Sequence, residues 1–97
     1  MHFDSDEAFI KREKLIARDL RKSNWWHNKI NHQCVCYYCQ IPLDKNTATM
    51  DHVVPLAQGG RSTKGNIVAA CRPCNMTKRD RSASEWIMAL ANEEVKN

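Results

Sequence analysis

Two Cys-x-x-Cys pairs restrict the fold of this chain more than any other feature of its sequence. Cys36 and Cys39 form the first pair, and Cys71 and Cys74 form the second. Four thiolates at this spacing are typical of a tetrahedral zinc ion with no open coordination position, so the predicted site is structural. Cys34 is the fifth cysteine, and we expect it to be a small buried residue.

Length and composition favour one small domain, spanning 1–97, that a metal ion helps to stabilise. A chain of 97 residues buries a limited apolar area, so zinc would supplement its core. The net charge of +4 only hints at a polyanionic partner. An odd number of cysteines and an acidic N-terminus without an apolar leader predict a reducing, cytoplasmic location. No apolar run is long enough to cross a membrane.

Periodicity and turn signals predict an α+β chain in three parts. Residues 1–33 form a helical region, 34–81 a zinc-stapled core and 82–97 a C-terminal helix. The elements expected within them are a helix from about Ser5 to Lys22 capped by Asp4 or Ser5, strands over 47–55 and 66–70, a helix from Pro73 to about Arg81, and a helix from about Ser82.

Buried faces and caps are also predicted for these helices. Trp25 and Trp26 are expected to pack against the domain. Ser82 and Glu85 fit a capping box at the start of the last helix. The apolar stripes expected to face the core are Ala8, Phe9, Leu15, Ile16 and Leu20 in the first helix, and Trp86, Ile87 and Leu90 in the last.

A second candidate metal site involves Asp51, His52 and Asn75. Asp51 and His52 are neighbours on a predicted strand, and Asn75 follows the second cysteine pair. If strand and helix fold together, Asp51 and Asn75 can offer oxygens to one Mg²⁺ or Mn²⁺ ion. His52 would then be placed to act as a general base. Alone, an Asp-His pair is weak evidence, and Asn75 could instead be a helix cap.

The stretch around these residues resembles the HNH endonuclease family. The resemblance rests on the joint pattern of Asp51-His52-Val-Val-Pro55, Gly59-Gly60, Asn66-Ile67, Cys71-Arg-Pro-Cys74-Asn75 and Lys78, together with Cys36 and Cys39. It implies a ββα-metal core, a β-hairpin plus a helix, with flanking helices. The small size suits a free-standing nuclease of phage or bacterial type.

The resemblance also implies a role for each matched residue. His52 would deprotonate the water that attacks the scissile phosphorus, and Asn66 would hold the loop that orients His52. Asp51 and Asn75 would bind a single catalytic cation, giving an H-N-N variant of the family motif. The products would be 5′-phosphate and 3′-hydroxyl ends. Asn66 could alternatively be a simple turn residue.

DNA is the expected partner, contacted mainly through its backbone by Lys78, Arg79 and Arg61. RNA is a less expected substrate. Cutting both strands would need a homodimer or two successive nicks. Two other functions are compatible with part of the pattern: a non-catalytic zinc-stapled nucleic-acid-binding module and a structural zinc domain for protein partners. Neither requires Asp51 and His52 together with Asn75, so the sequence favours the nuclease.

Overall fold

A computed structural model describes residues 4–96, with side chains described for 7–92. The caps predicted for the first helix, Asp4 and Ser5, lie outside the described side chains. The elements in chain order are α1 (Asp4–Arg21), α2 (Asn24–Asn31), β1 (Cys34–Val35), β2 (Pro42–Leu43), β3 (Ala48–His52), 3₁₀ turns at Leu56–Gln58 and Lys64–Asn66, β4 (Ile67–Cys71), α3 (Arg72–Lys78) and α4 (Ala83–Lys96). The predicted α+β class is confirmed. No helix in this part of the chain is long and apolar enough to cross a membrane.

The centre of the fold is an antiparallel hairpin, β3–β4, followed directly by α3. Its register pairs Ala48 with Cys71 and His52 with Ile67. Cys71 ends β4 and also caps α3, since its Sγ accepts a hydrogen bond from the Cys74 amide. The strand therefore runs into the helix without a loop, which is the predicted ββα arrangement.

A second, shorter hairpin and two helices complete the core. β1 pairs antiparallel with β2, and this hairpin carries the first cysteine pair in its turn. The core is formed where α2, both hairpins and α4 meet, through the buried side chains Trp26, Ile30, Leu43, Ile67, Ala70 and Trp86. Trp26 packs as predicted, and Trp25 lies partly buried at the edge. Cys34 is buried, also as predicted.

The predicted apolar stripe of α1 is only partly correct: Leu20 packs against the core, but Ala8 is exposed. Leu15 and Ile16 are exposed, whereas Glu13 and Ala17 are buried. The buried face of α1 instead carries Glu13, whose carboxylate accepts a hydrogen bond from the Ser62 amide at 2.6 Å. The hydrogen bond offsets the cost of burying the Glu13 carboxylate.

The start of α4 is as predicted. The Ser82 amide donates to Glu85 Oε1 at 2.7 Å, and the Glu85 amide donates to Ser82 Oγ at 3.2 Å, which is a capping box. Trp86 is buried, but Ile87 is exposed, so its predicted place on the buried face is wrong. One position along a helix turns a side chain by about 100°, enough to leave a narrow interface.

Candidate active site

The four paired cysteines form one cluster. The Sγ atoms of Cys36, Cys39, Cys71 and Cys74 all lie within 4.8 Å of one another, and those of Cys39 and Cys71 are 3.7 Å apart. Zinc–sulfur bonds of about 2.3 Å in a tetrahedron place sulfurs about 3.8 Å apart. The donor set and its spacing therefore fit zinc, which would tie the β1–β2 turn to the β4–α3 junction.

Backbone amides support both cysteine pairs. The Tyr38 amide donates to Cys36 Sγ at 3.4 Å, and the Cys74 amide donates to Cys71 Sγ at 3.4 Å. Burial opposes ionisation of Cys36, but the backbone amides around its sulfur prevail and lower its pKa to about 7. The Cys36 thiol thus ionises more readily than an ordinary cysteine, and a zinc ligand binds as the thiolate.

Asp51 is held between two side chains that the sequence reasoning did not connect to it. Asp51 is 5 % exposed, and its carboxylate accepts a hydrogen bond from the Tyr38 hydroxyl and forms an ion pair with Lys78 at 3.3 Å. Tyr38 lies inside the first cysteine pair. Burial, together with this bond to Asp51, raises the pKa of Tyr38, so the hydroxyl remains a donor.

Lys78 does not lie on the surface, contrary to its predicted role in contacting DNA. It is fully buried, and its Nζ donates to Asp51 Oδ1 at 3.3 Å and to the His52 carbonyl at 3.1 Å. The long side chain crosses from α3 to the end of β3 because a buried carboxylate needs a charge partner. Lys78 thus fixes the end of β3, which carries Asp51 and His52.

His52 is half-buried beside the loop that follows β3. Its Nε2 lies 3.0 Å from Ser62 Oγ, a contact with no signal in the sequence beyond the general polarity of that loop. Burial lowers the pKa of His52, the Asp51 charge partly opposes this, and Lys78 adds to it. The imidazole is therefore neutral at neutral pH and can accept a proton.

Asn66 closes the loop between the two strands of the hairpin. Its Oδ1 accepts from the Val54 amide at 2.9 Å, while its Nδ2 donates to the Val54 carbonyl at 3.0 Å and the Arg61 carbonyl at 2.9 Å. One carboxamide thereby ties both ends of the loop, which is more than a turn residue alone would do.

Asn75 lies on α3 facing the hairpin. Its Nδ2 donates to Thr49 Oγ1 at 2.9 Å and to the Met50 carbonyl at 3.2 Å. These two bonds use both amide protons, and the side-chain oxygen accepts no hydrogen bond from the described residues. The cap of α3 is Cys71, so the alternative of Asn75 as a helix cap is excluded.

Asp51, His52 and Asn75 line one cavity of about 330 Å³. Arg79 lines the same cavity and is exposed, so it could meet a phosphate there. The cavity is further bounded by side chains from α1, the loop after β3, and α3: Ile10, Lys14, Pro55, Leu56, Lys78 and Asp80. Arg61 lies elsewhere, exposed and with its guanidinium 5.7 Å from the centre of the Phe9 ring.

Comparison with known proteins agrees with this geometry. The HNH endonuclease family model matches residues 36–91, more than half of the chain. A CRISPR-associated endonuclease Cas9 of Corynebacterium diphtheriae is 37% identical over 88 residues, which is 87% of this chain and 8% of that protein. A CRISPR-associated endonuclease Cas9 of Actinomyces naeslundii is 37% identical over 81 residues, 82% of this chain and 7% of that protein.

The chain spans less than a tenth of the length of these curated relatives. The matched segment nevertheless contains both cysteine pairs, the β3–β4 hairpin, α3 and the cavity residues Asp51, His52 and Asn75. The sequence pattern, the ββα core and the family match point to one conclusion: this chain belongs to the HNH endonuclease family.

Proposed function

We propose that this chain is a divalent-metal-dependent DNA endonuclease domain, spanning 1–97, in which His52 is the general base. The observation that carries the proposal is the common cavity of Asp51, His52 and Asn75. A non-catalytic binding module would need none of these three residues in one place. The proposal concerns a single chain, because neither the comparisons nor the described residues support the homodimer considered from the sequence.

The oxygen donors in the cavity suit Mg²⁺ or Mn²⁺. A carboxylate has about four lone-pair positions, so Asp51 can bind a cation while it keeps its bonds to Tyr38 and Lys78. The free carboxamide oxygen of Asn75 would be the second protein ligand. When bound, such a cation would stabilise charge on the phosphate and on the leaving 3′ oxygen. Zinc, in contrast, would be held by the four cysteines in a closed structural site.

The reaction assigned to the chain's own residues is hydrolysis of a phosphodiester bond. The neutral His52 imidazole accepts a proton from water, and the water oxygen forms a bond to phosphorus. The bond from phosphorus to the 3′ oxygen breaks, and that oxygen takes a proton from solvent. The products are 5′-phosphate and 3′-hydroxyl ends. Asn66 contributes by holding the loop beside His52, and exposed Arg79 and Arg61 would bind backbone phosphates.

The experiment is plasmid cleavage by the full chain. Supercoiled plasmid is incubated with Mg²⁺ or Mn²⁺ and the wild type, His52→Ala or Asn75→Ala. His27→Ala is the matched control, because His27 is an exposed histidine on α2. We expect cation-dependent nicking by the wild type and by the His27 variant, and loss of it in the other two. Equal nicking by the wild type and His52→Ala would remove His52 as the base.

The same assay distinguishes other parts of the proposal. Retained cleavage by Asn75→Ala at unchanged Mg²⁺ concentration would remove Asn75 from the ligand set. Binding of DNA without cleavage under any divalent metal would favour the binding-module alternative.

A cytoplasmic location, in which five cysteines stay reduced, is part of the same proposal.

A further inference from the structure

Glu13 is an acidic side chain buried where the proposed nuclease chemistry gives it no role. It lies on α1, outside the segment that matches the family model, and is 3% exposed. Carboxylates are rarely buried to this degree unless hydrogen bonds or charges compensate. The groups that compensate for the burial of the Glu13 carboxylate therefore indicate why α1 packs over the cavity.

Its partner is Ser62, which is 4% exposed. The Ser62 amide donates to Glu13 Oε1 at 2.6 Å, and the Ser62 hydroxyl donates to the Glu13 carbonyl at 2.7 Å. Both bonds bridge 49 positions of sequence. They anchor the loop after Gly60 to the middle of α1 and fix the direction of the Ser62 hydroxyl.

The direction of that hydroxyl determines which ring nitrogen of neutral His52 carries the proton. A serine hydroxyl has one proton, and a carbonyl can only accept it. At 2.7 Å the proton of Ser62 must point to the Glu13 carbonyl, since two oxygens without a proton between them would repel. The His52 Nε2 atom, 3.0 Å from the same hydroxyl, must then be the donor. A neutral imidazole with its proton on Nε2 has an unprotonated Nδ1.

We propose that Ser62 and Glu13 are positioning residues that hold His52 as its Nε2–H tautomer and present Nδ1 to the attacking water. The inference rests on the proposed function of His52 as general base. When Nδ1 takes the proton from water, the imidazolium keeps its Nε2–H bond to Ser62, and Ser62 keeps its bond to Glu13. A helix outside the family-matched segment thus completes the site.

The test measures the tautomer directly, without cleavage. The ¹⁵N shifts of the His52 ring distinguish the Nε2–H from the Nδ1–H form in the folded chain above the pKa of His52. We expect Nε2–H in the wild type and in Glu13→Gln, which keeps an acceptor for the Ser62 amide. Ser62→Ala should give a mixture of tautomers. Ser84→Ala, which changes an exposed serine on α4, is the control and should match the wild type.

Kinetics supply a second readout. Ser62→Ala should lower kcat roughly tenfold, as expected for loss of one orienting hydrogen bond, with KM for DNA unchanged. A wild-type Nδ1–H tautomer would overturn the inference even if His52→Ala abolishes cleavage. An unchanged tautomer and kcat in folded Ser62→Ala would overturn it as well. Failure of the proposed function is separate, because it appears as equal cleavage by wild type and His52→Ala.

Discussion

The Tyr38 hydroxyl donates a hydrogen bond to the Asp51 carboxylate, which joins the two candidate metal sites of this chain. Tyr38 lies between two zinc-ligand candidates, Cys36 and Cys39, and Asp51 is the candidate ligand of the catalytic cation. The backbone amide of Tyr38 also bonds to Cys36 Sγ. One residue therefore contacts both sites, so the geometry of the cysteine cluster contributes to the position of the Asp51 carboxylate.

Tyr38→Phe should weaken the response of cleavage to divalent cation. The phenyl ring keeps the packing, but Asp51 loses the donor that orients one oxygen. Loss of such a partner typically costs about 10-fold to 100-fold in metal affinity or activity. Cleavage measured against Mg²⁺ concentration should show a higher half-maximal value with unchanged zinc content. Tyr37→Phe is the matched control, since Tyr37 is an exposed neighbour; identical Mg²⁺ curves for both variants would contradict this role.

Zinc removal should unfold the chain. The four cysteines tie the β1–β2 turn to the start of α3, and in a core this small the metal supplies a large part of the folding free energy. Far-UV circular dichroism should lose most helical signal with a strong chelator or in Cys71→Ser. Cys34→Ser tests specificity, because Cys34 is outside the four-sulfur cluster, and it should retain one zinc per chain. Full helicity after demonstrated zinc loss would exclude a structural site.

Substitutions of Lys78 and Arg79 should have different effects on stability and DNA binding, although the two basic residues are adjacent. Lys78→Met removes the partner of a buried carboxylate and should lower the free energy of unfolding by about 3–5 kcal/mol without added divalent cation. Arg79→Met changes an exposed residue and should leave stability within about 0.5 kcal/mol. It should instead weaken DNA binding and reduce its salt dependence. Denaturant unfolding and salt-dependent binding measure the two effects, and equal destabilisation by both changes would refute the distinction.

Gly60→Ala should destabilise the loop that carries Ser62. A Cβ at this position would lie 1.8 Å from the Val54 carbonyl oxygen, and the backbone would have to move. Overpacking of this kind costs about 1–3 kcal/mol, and displacement of Val54 should also disturb its bonds with Asn66. Thermal unfolding and cleavage should both decline.

Gly65→Ala is the control for this loop. A Cβ there would have no heavy atom within 4 Å, so the change in stability should stay within about 1 kcal/mol. If Gly60→Ala were as stable and active as Gly65→Ala, close backbone approach would not be the reason for glycine at position 60.

Local sequence signals predicted local structure well in this chain. The cysteine spacing predicted a four-sulfur cluster, and the Ser82–Glu85 pattern predicted a capping box, because both depend on residues close in sequence or on ligand chemistry. The wrong predictions concerned which faces of α1 and α4 are buried. The apolar residues of α1 allowed more than one buried stripe, and only the partner across the interface, Ser62, selects the stripe that contains Glu13.

The sequence by itself determined the chemistry available to this protein: four thiolates for zinc, and a carboxylate, an imidazole and carboxamides in the order of the HNH family. Tertiary structure alone decided which groups support them. Lys78 looks like a surface cation in sequence, yet it is buried against Asp51. Ser62 and Glu13 carry no motif, yet Ser62 contacts His52 and Glu13 accepts a hydrogen bond from Ser62. These contacts form because buried polar groups require hydrogen-bond or charge partners, and the groups become buried only when distant segments pack together.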